Sequence, residues 1–185
     1  MARAGDTLTN RSGEQIVFRR TTAETGGELL EVEVLYRPNA TPPPAHYHPS
    51  QEERFEVLQG AIQTRIDGVT RTYLPGERFT VPPGVSHQMH SSGAEPGRMR
   101  WEIRPALNTE AFFETLWGLA QDGKTNANGV PNLLQLAVIL QAHRPEFRLS
   151  SPPYPVQRVL WGLLAPLGRL LGYRASYRPA AAPKG

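Results

Sequence analysis

Residues 1 to about 104 consist of short segments that alternate apolar and polar side chains, each closed by glycine or proline. Residues 30–34 alternate with period two, and residues 98–104 place Met99, Trp101 and Ile103 on one face and four charges on the other. Such alternation predicts strands with one buried face. Further strands are predicted at 55–58, 61–66, 70–74, 78–81 and 86–89. Strands this short and regularly spaced favour an antiparallel sandwich or barrel.

Composition excludes several classes of protein. The 185 residues are 39% apolar and 20% charged, which is typical of a globular chain. Since the sequence has no cysteine, disulfides, thiol nucleophiles and cysteine-ligated metals are ruled out. The formal net charge of +3 is too small to indicate nucleic-acid binding.

The distribution of apolar residues predicts a cytoplasmic protein. The first residues lack the apolar core of a secretion signal. The longest uncharged apolar stretch near the C-terminus, 159–168, is about half of the roughly 20 residues that a membrane-spanning helix needs. We therefore expect no stable membrane insertion.

After Pro105 the pattern changes to helical spacing, which predicts three helices at 107–122, 131–143 and 156–172. The proline-rich stretch 151–155 before the third helix is predicted to be a non-helical linker. The expected organisation is a β-barrel at 1–105 followed by a helical extension at 106–185 that packs on it and is not an independent domain.

The helices carry about a dozen large apolar side chains, and burying each is worth roughly 1.5–3 kcal/mol. They must therefore cover the outer face of the barrel, seal one end of its pocket, or form a dimer contact. If they seal the pocket, Phe112, Phe113 and Trp117 are expected to reach it. The leucine-rich, arginine-flanked third helix could lie on a membrane surface, but packing on the barrel or on a second subunit is favoured.

Four residues form the candidate chemical centre: His46, His48, Glu53 and His87. His46 and His48 are two apart, so on an extended strand both imidazoles project from the same face. A turn can return Glu53 to them, and His87 begins another short strand. Three imidazoles and a carboxylate are good ligands for a divalent transition metal.

The spacing of these residues resembles the two motifs of the cupin superfamily. His46, His48, Glu53 and Gly60 fit the first motif, and Gly76, Pro82, Gly84 and His87 fit the second. Ala40 and Ser91 depart from the glycine and asparagine usual there, at positions that do not usually ligate metal in the family. The resemblance covers about residues 28 to 104 and implies a small antiparallel cupin β-barrel (a double-stranded β-helix or jelly roll).

The resemblance also implies a function. It implies one divalent metal (Fe, Mn, Ni, Co or Zn) and a small-molecule substrate in the barrel pocket, with dioxygenase-like or isomerase-like chemistry. The alternative is a non-catalytic cupin that binds or senses a small ligand through a metal anchor. Cupins of this size often pair, so a homodimer is expected.

Residues near the candidate centre are expected to have structural or surface positions. Phe55, Val57 and Met89 share face parity with Glu53 or His87, so they should line the pocket or pack in the core. His90 and Glu52 have the opposite parity and should point outward. His143, near a predicted helix C-terminus, is interpreted as structural.

Overall fold

The computed structural model describes residues 1–126 and 128–178. Its strands form two antiparallel sheets, ordered β1-β2-β3-β10-β5-β8 and β11-β4-β9-β6-β7. The strands are β1 (Thr7–Thr9), β2 (Gln15–Arg20), β3 (Leu30–Tyr36), β4 (His46–Tyr47), β5 (Glu52–Gln59), β6 (Ile62–Ile66), β7 (Val69–Tyr73), β8 (Arg78–Val81), β9 (His87–Ser91), β10 (Gly97–Arg104) and β11 (Arg148–Leu149). The helices are α1 (Thr109–Gln121), α2 (Leu133–Ala142) and α3 (Tyr154–Leu170).

This architecture confirms the predicted antiparallel β fold with three helices. Each strand predicted from residue 30 onward is present, with ends that differ by a few residues. Strands β1, β2 and β11 were not predicted, and β4 was expected only as the extended segment that holds His46 and His48. The two-residue strand β11 carries no periodicity that could have indicated it.

The prediction for the linker at 151–155 is partly wrong. Helix α3 begins at Tyr154 and holds Pro155 in its first turn. A proline is tolerated there because the first-turn N–H groups have no partner inside the helix. The end of the predicted extension, residues 179–185, lies outside the described residues.

The six-stranded sheet has one charged face. Glu33 accepts hydrogen bonds from Arg19 and Arg98, and Glu56 pairs with Arg100 at 2.9 Å and with Arg78 at 3.2 Å. These side chains alternate with the buried ones along β3, β5 and β10, as period-two patterning requires. This face of the sheet is therefore solvated and is not covered by the helices.

The opposite face of that sheet is apolar, and two other parts of the protein pack on it: the five-stranded sheet and the helices. Strand register places Val32 opposite Trp101, and Trp101 opposite Phe55. Toward β5 and β8 this face packs on the five-stranded sheet in one buried cluster: Phe55, Val57, Ile62, Tyr73, Phe79, Val81, Met89 and Met99. Toward β2 and β3 it packs on the helices in another, which includes Ile16, Phe18, Val32, Phe112, Phe113, Ile139 and Trp161.

The helical extension thus packs on the same face as the second sheet and continues its layer. Helix α2 is buried along Ala137 to Leu140, as its apolar sequence predicted. It packs against α3 at Gly168, where an added Cβ would lie 2.9 Å from the Leu134 carbonyl oxygen. The segment between α2 and α3 returns to the barrel as β11, which pairs with β4.

Candidate metal centre

The four residues singled out from the sequence come from both sheets. His46 lies in β4 and is paired with His87 of β9, and His48 follows β4 directly. Glu53 lies in β5 of the six-stranded sheet. The centre is therefore enclosed between the sheets, at the side where β11 joins.

The structure brings these side chains together. Nε2 of His48 lies 3.1 Å from Oε1 of Glu53, and Nε2 of His87 lies 3.0 Å from Oε2 of the same carboxylate. One donor atom from each of the three histidines lies within 4.8 Å of the others, so the triad is placed to hold a metal. His48, Glu53 and His87 are buried, whereas His46 is half-buried. His46 is thus the histidine of the cluster most accessible to solvent.

Backbone carbonyls fix the orientation of all three imidazoles. In each ring Nδ1 lies within hydrogen-bond distance of a carbonyl oxygen: His46 of Pro44 at 3.0 Å, His48 of Glu146 at 2.6 Å and His87 of Val85 at 3.0 Å. Because a carbonyl only accepts, each Nδ1 carries the proton. In the neutral ring, Nε2 is then unprotonated and carries a lone pair, which is the form that binds a metal.

Burial affects the protonation of the three rings unequally. Desolvation, reinforced by the neighbouring His87 and His48, lowers the pKa of His46 well below its usual value. Desolvation also lowers the pKa of His48, against the opposing effect of Glu53. For His87, burial acts in the same direction, but contact with the Glu53 carboxylate outweighs it and raises the pKa. His46 and His48 are therefore held as neutral rings.

The donor set fits a divalent transition metal. Nε2 of His48, Nε2 of His87 and Oε2 of Glu53 are buried and lack a hydrogen-bond partner of acceptable geometry among the described residues. The two short nitrogen–oxygen contacts are therefore close without being aligned as hydrogen bonds. Buried polar atoms without partners cost about 1–3 kcal/mol each, and a shared cation would satisfy all of them. Imidazole and carboxylate ligands suit iron, manganese, nickel, cobalt or zinc.

Two further residues contact the centre. Nε1 of Trp101 donates a hydrogen bond of 3.1 Å to Oε1 of Glu53, and the ring of Phe147 stacks on His46 with centroids 4.6 Å apart. Trp101 had been predicted only as an inward-facing strand residue. Phe147 was missed, because it lies between α2 and β11 in a segment without periodic pattern.

The aromatic residues expected to seal the pocket lie one layer farther out. Phe112 contacts Phe147 at 5.0 Å between centroids, and Phe113 contacts Trp101 at 4.8 Å. Trp117 packs in the helical cluster. Phe112 and Phe113 therefore support the residues that touch the centre.

The remaining residues assigned from the sequence lie outside the candidate centre. Glu52 is partly exposed and pairs with Arg54 at 2.7 Å, as expected. Phe55, Val57 and Met89 are buried in the cluster between the sheets. His143 is buried at the C-cap of α2, where its Nδ1 lies 3.7 Å from the Glu146 carboxylate. His90 is half-buried on β9.

This chain is similar to fungal proteins that are named as oxidoreductases. It is 28% identical over 147 residues to an oxidoreductase of Arthrobotrys oligospora, covering 74% of this chain and 57% of that protein. It is 31% identical over 150 residues to the probable oxidoreductase yanE of Aspergillus niger, covering 74% of this chain and 56% of that protein. The chain thus spans a little over half the length of these relatives.

Solved structures and a family profile give the remaining comparisons. An RmlC-like cupin from Shewanella frigidimarina is 19% identical with a TM-score of 0.49, over 60% of this chain and 92% of that one. KdgF from Halomonas sp. is 21% identical with a TM-score of 0.47, over 57% and 92%. The family profile described as "Cupin domain" matches residues 32–103, which contain all four residues of the centre. Residues 32–103 of this chain are therefore a cupin domain.

Proposed function

We propose that this cupin is a metal-dependent enzyme that acts on a small organic molecule, with dioxygenase-like or isomerase-like chemistry. The observation that carries the proposal is the orientation of the three imidazoles. Each Nδ1 is bound to a carbonyl, so in the neutral rings the three Nε2 atoms are the ones left to bind a metal beside the carboxylate of Glu53. His46, His48, Glu53 and His87 would hold one divalent ion.

The surroundings of the centre favour a small and partly apolar substrate. Phe147 covers His46 on one side, and Trp101 lies beside Glu53. His46 is the histidine of the triad that keeps partial exposure, so a substrate would reach the centre from its side. A bound metal would supply Lewis-acid activation of an oxygen-bearing ligand. The name oxidoreductase carried by two similar fungal proteins supports redox chemistry for this chain.

Metal analysis of the purified protein tests the proposal. We expect about one divalent ion per chain, and loss of most of it in His48→Ala and His87→Ala. His90→Ala is the matched control, since it alters a histidine on β9 that lies outside the triad. Absence of metal under all loading conditions would show that the ligand assignment is wrong.

Turnover assays distinguish an enzyme from a binding protein. The loaded protein and His87→Ala would be incubated aerobically with panels of small organic acids, phenols and sugars. Metal-dependent product formation is expected for the parent alone. Metal-dependent ligand binding without turnover by any loaded form would instead support the non-catalytic alternative.

The expected homodimer is part of the same proposal. Both sheets end in edge strands, β1 and β8 in one and β7 and β11 in the other, and edges can pair with a second chain. A dimer would have twice the chain mass of 20.5 kDa, about 41 kDa. Light scattering at micromolar concentration that gives the mass of a single chain would contradict it.

A further inference from the structure

Helix α3 presents two unlike faces. Its buried face consists of Gln157, Trp161, Ala165 and Gly168, which pack toward α2 and the helical core. Its other face is apolar and open to solvent: Leu163 is 71% exposed and Leu170 is 85% exposed. The further exposed members are Val156, Val159, Leu167 and Leu171. Packing of these exposed side chains on the barrel, one of the two placements favoured from the sequence, is therefore not observed, whereas packing on a second subunit stays a prediction.

This exposed face is long and continuous. Val156 and Leu171 lie 15 positions apart, which is about 22 Å of helix. Monomeric soluble proteins rarely expose extended apolar patches, so a patch of this kind marks a docking surface. No helix among the described residues is both long and apolar enough to cross a membrane.

The charges beside the patch are all positive. Arg158 and Arg169 are exposed and eleven positions apart, which places them on one line along the helix, on the flank between its buried face and its exposed apolar face. Arg174 and Arg178 follow the helix. Among residues 1–126 and 128–178 none of these four arginines forms an ion pair. Between residues 147 and 178 the sequence contains no aspartate or glutamate.

We infer that α3 docks the protein on an anionic phospholipid surface, with Leu163 and Leu170 entering the acyl boundary and Arg158 and Arg169 at the headgroups. An apolar helical face bordered by arginines is the arrangement that binds in the plane of such an interface. Acidic headgroups would provide the ion-pair partners that these arginines do not have among the described residues.

A second copy of this chain fits the exposed face of α3 less well than an anionic lipid surface does. A two-fold interface would place the same patch against itself. Each copy would then bring arginines and no carboxylate from α3, so the apolar contact would form beside like charges. The charge pattern thus favours lipid over self-association, and it is independent of the metal centre.

Co-sedimentation with vesicles tests the inference. The parent protein would be mixed with vesicles of phosphatidylcholine alone or with about 30% phosphatidylserine. We expect binding to the anionic vesicles that falls at least about tenfold in Leu163→Glu/Leu170→Glu, and several-fold in Arg158→Gln/Arg169→Gln or at raised salt. Both leucines are highly exposed, so the substitutions should leave the fold intact.

The matched control is Val69→Glu, which alters a valine of similar exposure (69%) on β7. It should bind vesicles like the parent. Failure of the parent to bind anionic vesicles would overturn the inference, as would equal binding by the leucine variant. A parent dimer that Leu163→Glu/Leu170→Glu converts to a monomer, without vesicle binding by either, would assign the face to self-association instead.

Discussion

Nδ1 of His48 lies 2.6 Å from the carbonyl oxygen of Glu146, a residue 98 positions later in the chain. This contact joins the β-sheets to the helical extension at the candidate metal centre itself. The Glu146 carboxylate is held in turn by the backbone N–H of Asn108 at 3.3 Å and lies near His143. The extension thus fixes the tautomer of one histidine of the candidate centre.

Phe147→Ala should weaken the centre as well as the fold. The substitution removes the ring that stacks on His46 and contacts Phe112. Because Phe147 is half-buried, we expect the free energy of unfolding to fall by about 1–3 kcal/mol. The metal dissociation constant should rise about tenfold, since His46 loses its support. Urea unfolding and metal titration measure the two effects.

Phe147→Leu is the matched control for that substitution. It retains apolar volume against Phe112 and should recover most of the stability. Unchanged metal affinity in Phe147→Ala, alongside reduced stability, would show that Phe147 serves the fold alone.

Trp101→Phe should loosen Glu53 with little loss of packing. Phenylalanine keeps aromatic contacts with Phe55 and Phe113 but cannot donate to the Glu53 carboxylate. We expect a rise of about tenfold in the metal dissociation constant, measured by titration with a competing chelator. Trp117→Phe, in the helical cluster, should leave metal affinity unchanged, and an equal effect of both variants would contradict a role for the indole N–H.

Substitution by alanine should change the stability of the protein in opposite directions at Gly168 and Gly162 of α3. In Gly168→Ala the new Cβ would lie 2.8 Å from Cγ2 of Val138 and 2.9 Å from the Leu134 carbonyl oxygen. The helices must separate, at a cost of about 1–3 kcal/mol in unfolding free energy. Gly162 faces open space, so Gly162→Ala should stabilise by about 0.5–1 kcal/mol. Thermal unfolding compares them, and a stable Gly168→Ala variant would show that the α2–α3 contact is loose.

Glu33 should cause the free energy of unfolding to decrease as the pH becomes acidic. Burial acts to raise the pKa of Glu33, but hydrogen bonds and charge from Arg19 and Arg98 outweigh it and lower the pKa. A lowered pKa in the folded state means that the stabilisation is present at neutral pH and is lost as the pH falls below about 4. The arginines are more than a third exposed, so the effect should be about 1 kcal/mol or less.

Unfolding of Glu33→Gln across this range checks that prediction. The variant should be less stable than the parent at pH 7, and the difference should shrink as the pH is lowered. Glu52→Gln, which removes an exposed pair with Arg54, is the control and should lower stability at pH 7 by less than Glu33→Gln does. A constant difference between Glu33→Gln and the parent at all pH values would contradict the electrostatic explanation.

The sequence by itself predicted most strands of the two sheets and the residues of the candidate centre. Period-two alternation places side chains such as Met99 and Ile103 on one face whatever the topology, because successive side chains of a strand point to opposite faces. The two-residue spacing of His46 and His48 likewise defines a shared face before any tertiary contact forms. Both features are local, so the sequence can be read for them directly.

Only the tertiary structure decided where the helices lie and what completes the centre. An apolar helix must be buried, but its periodicity does not say against which surface. Here the outer face of the sheet is occupied by ion pairs of Glu33 and Glu56, so the helices cover the apolar face beside the second sheet. That placement brings the Glu146 carbonyl and the Phe147 ring to His48 and His46. Contacts between residues about a hundred positions apart depend on how the whole chain packs, which no local pattern encodes.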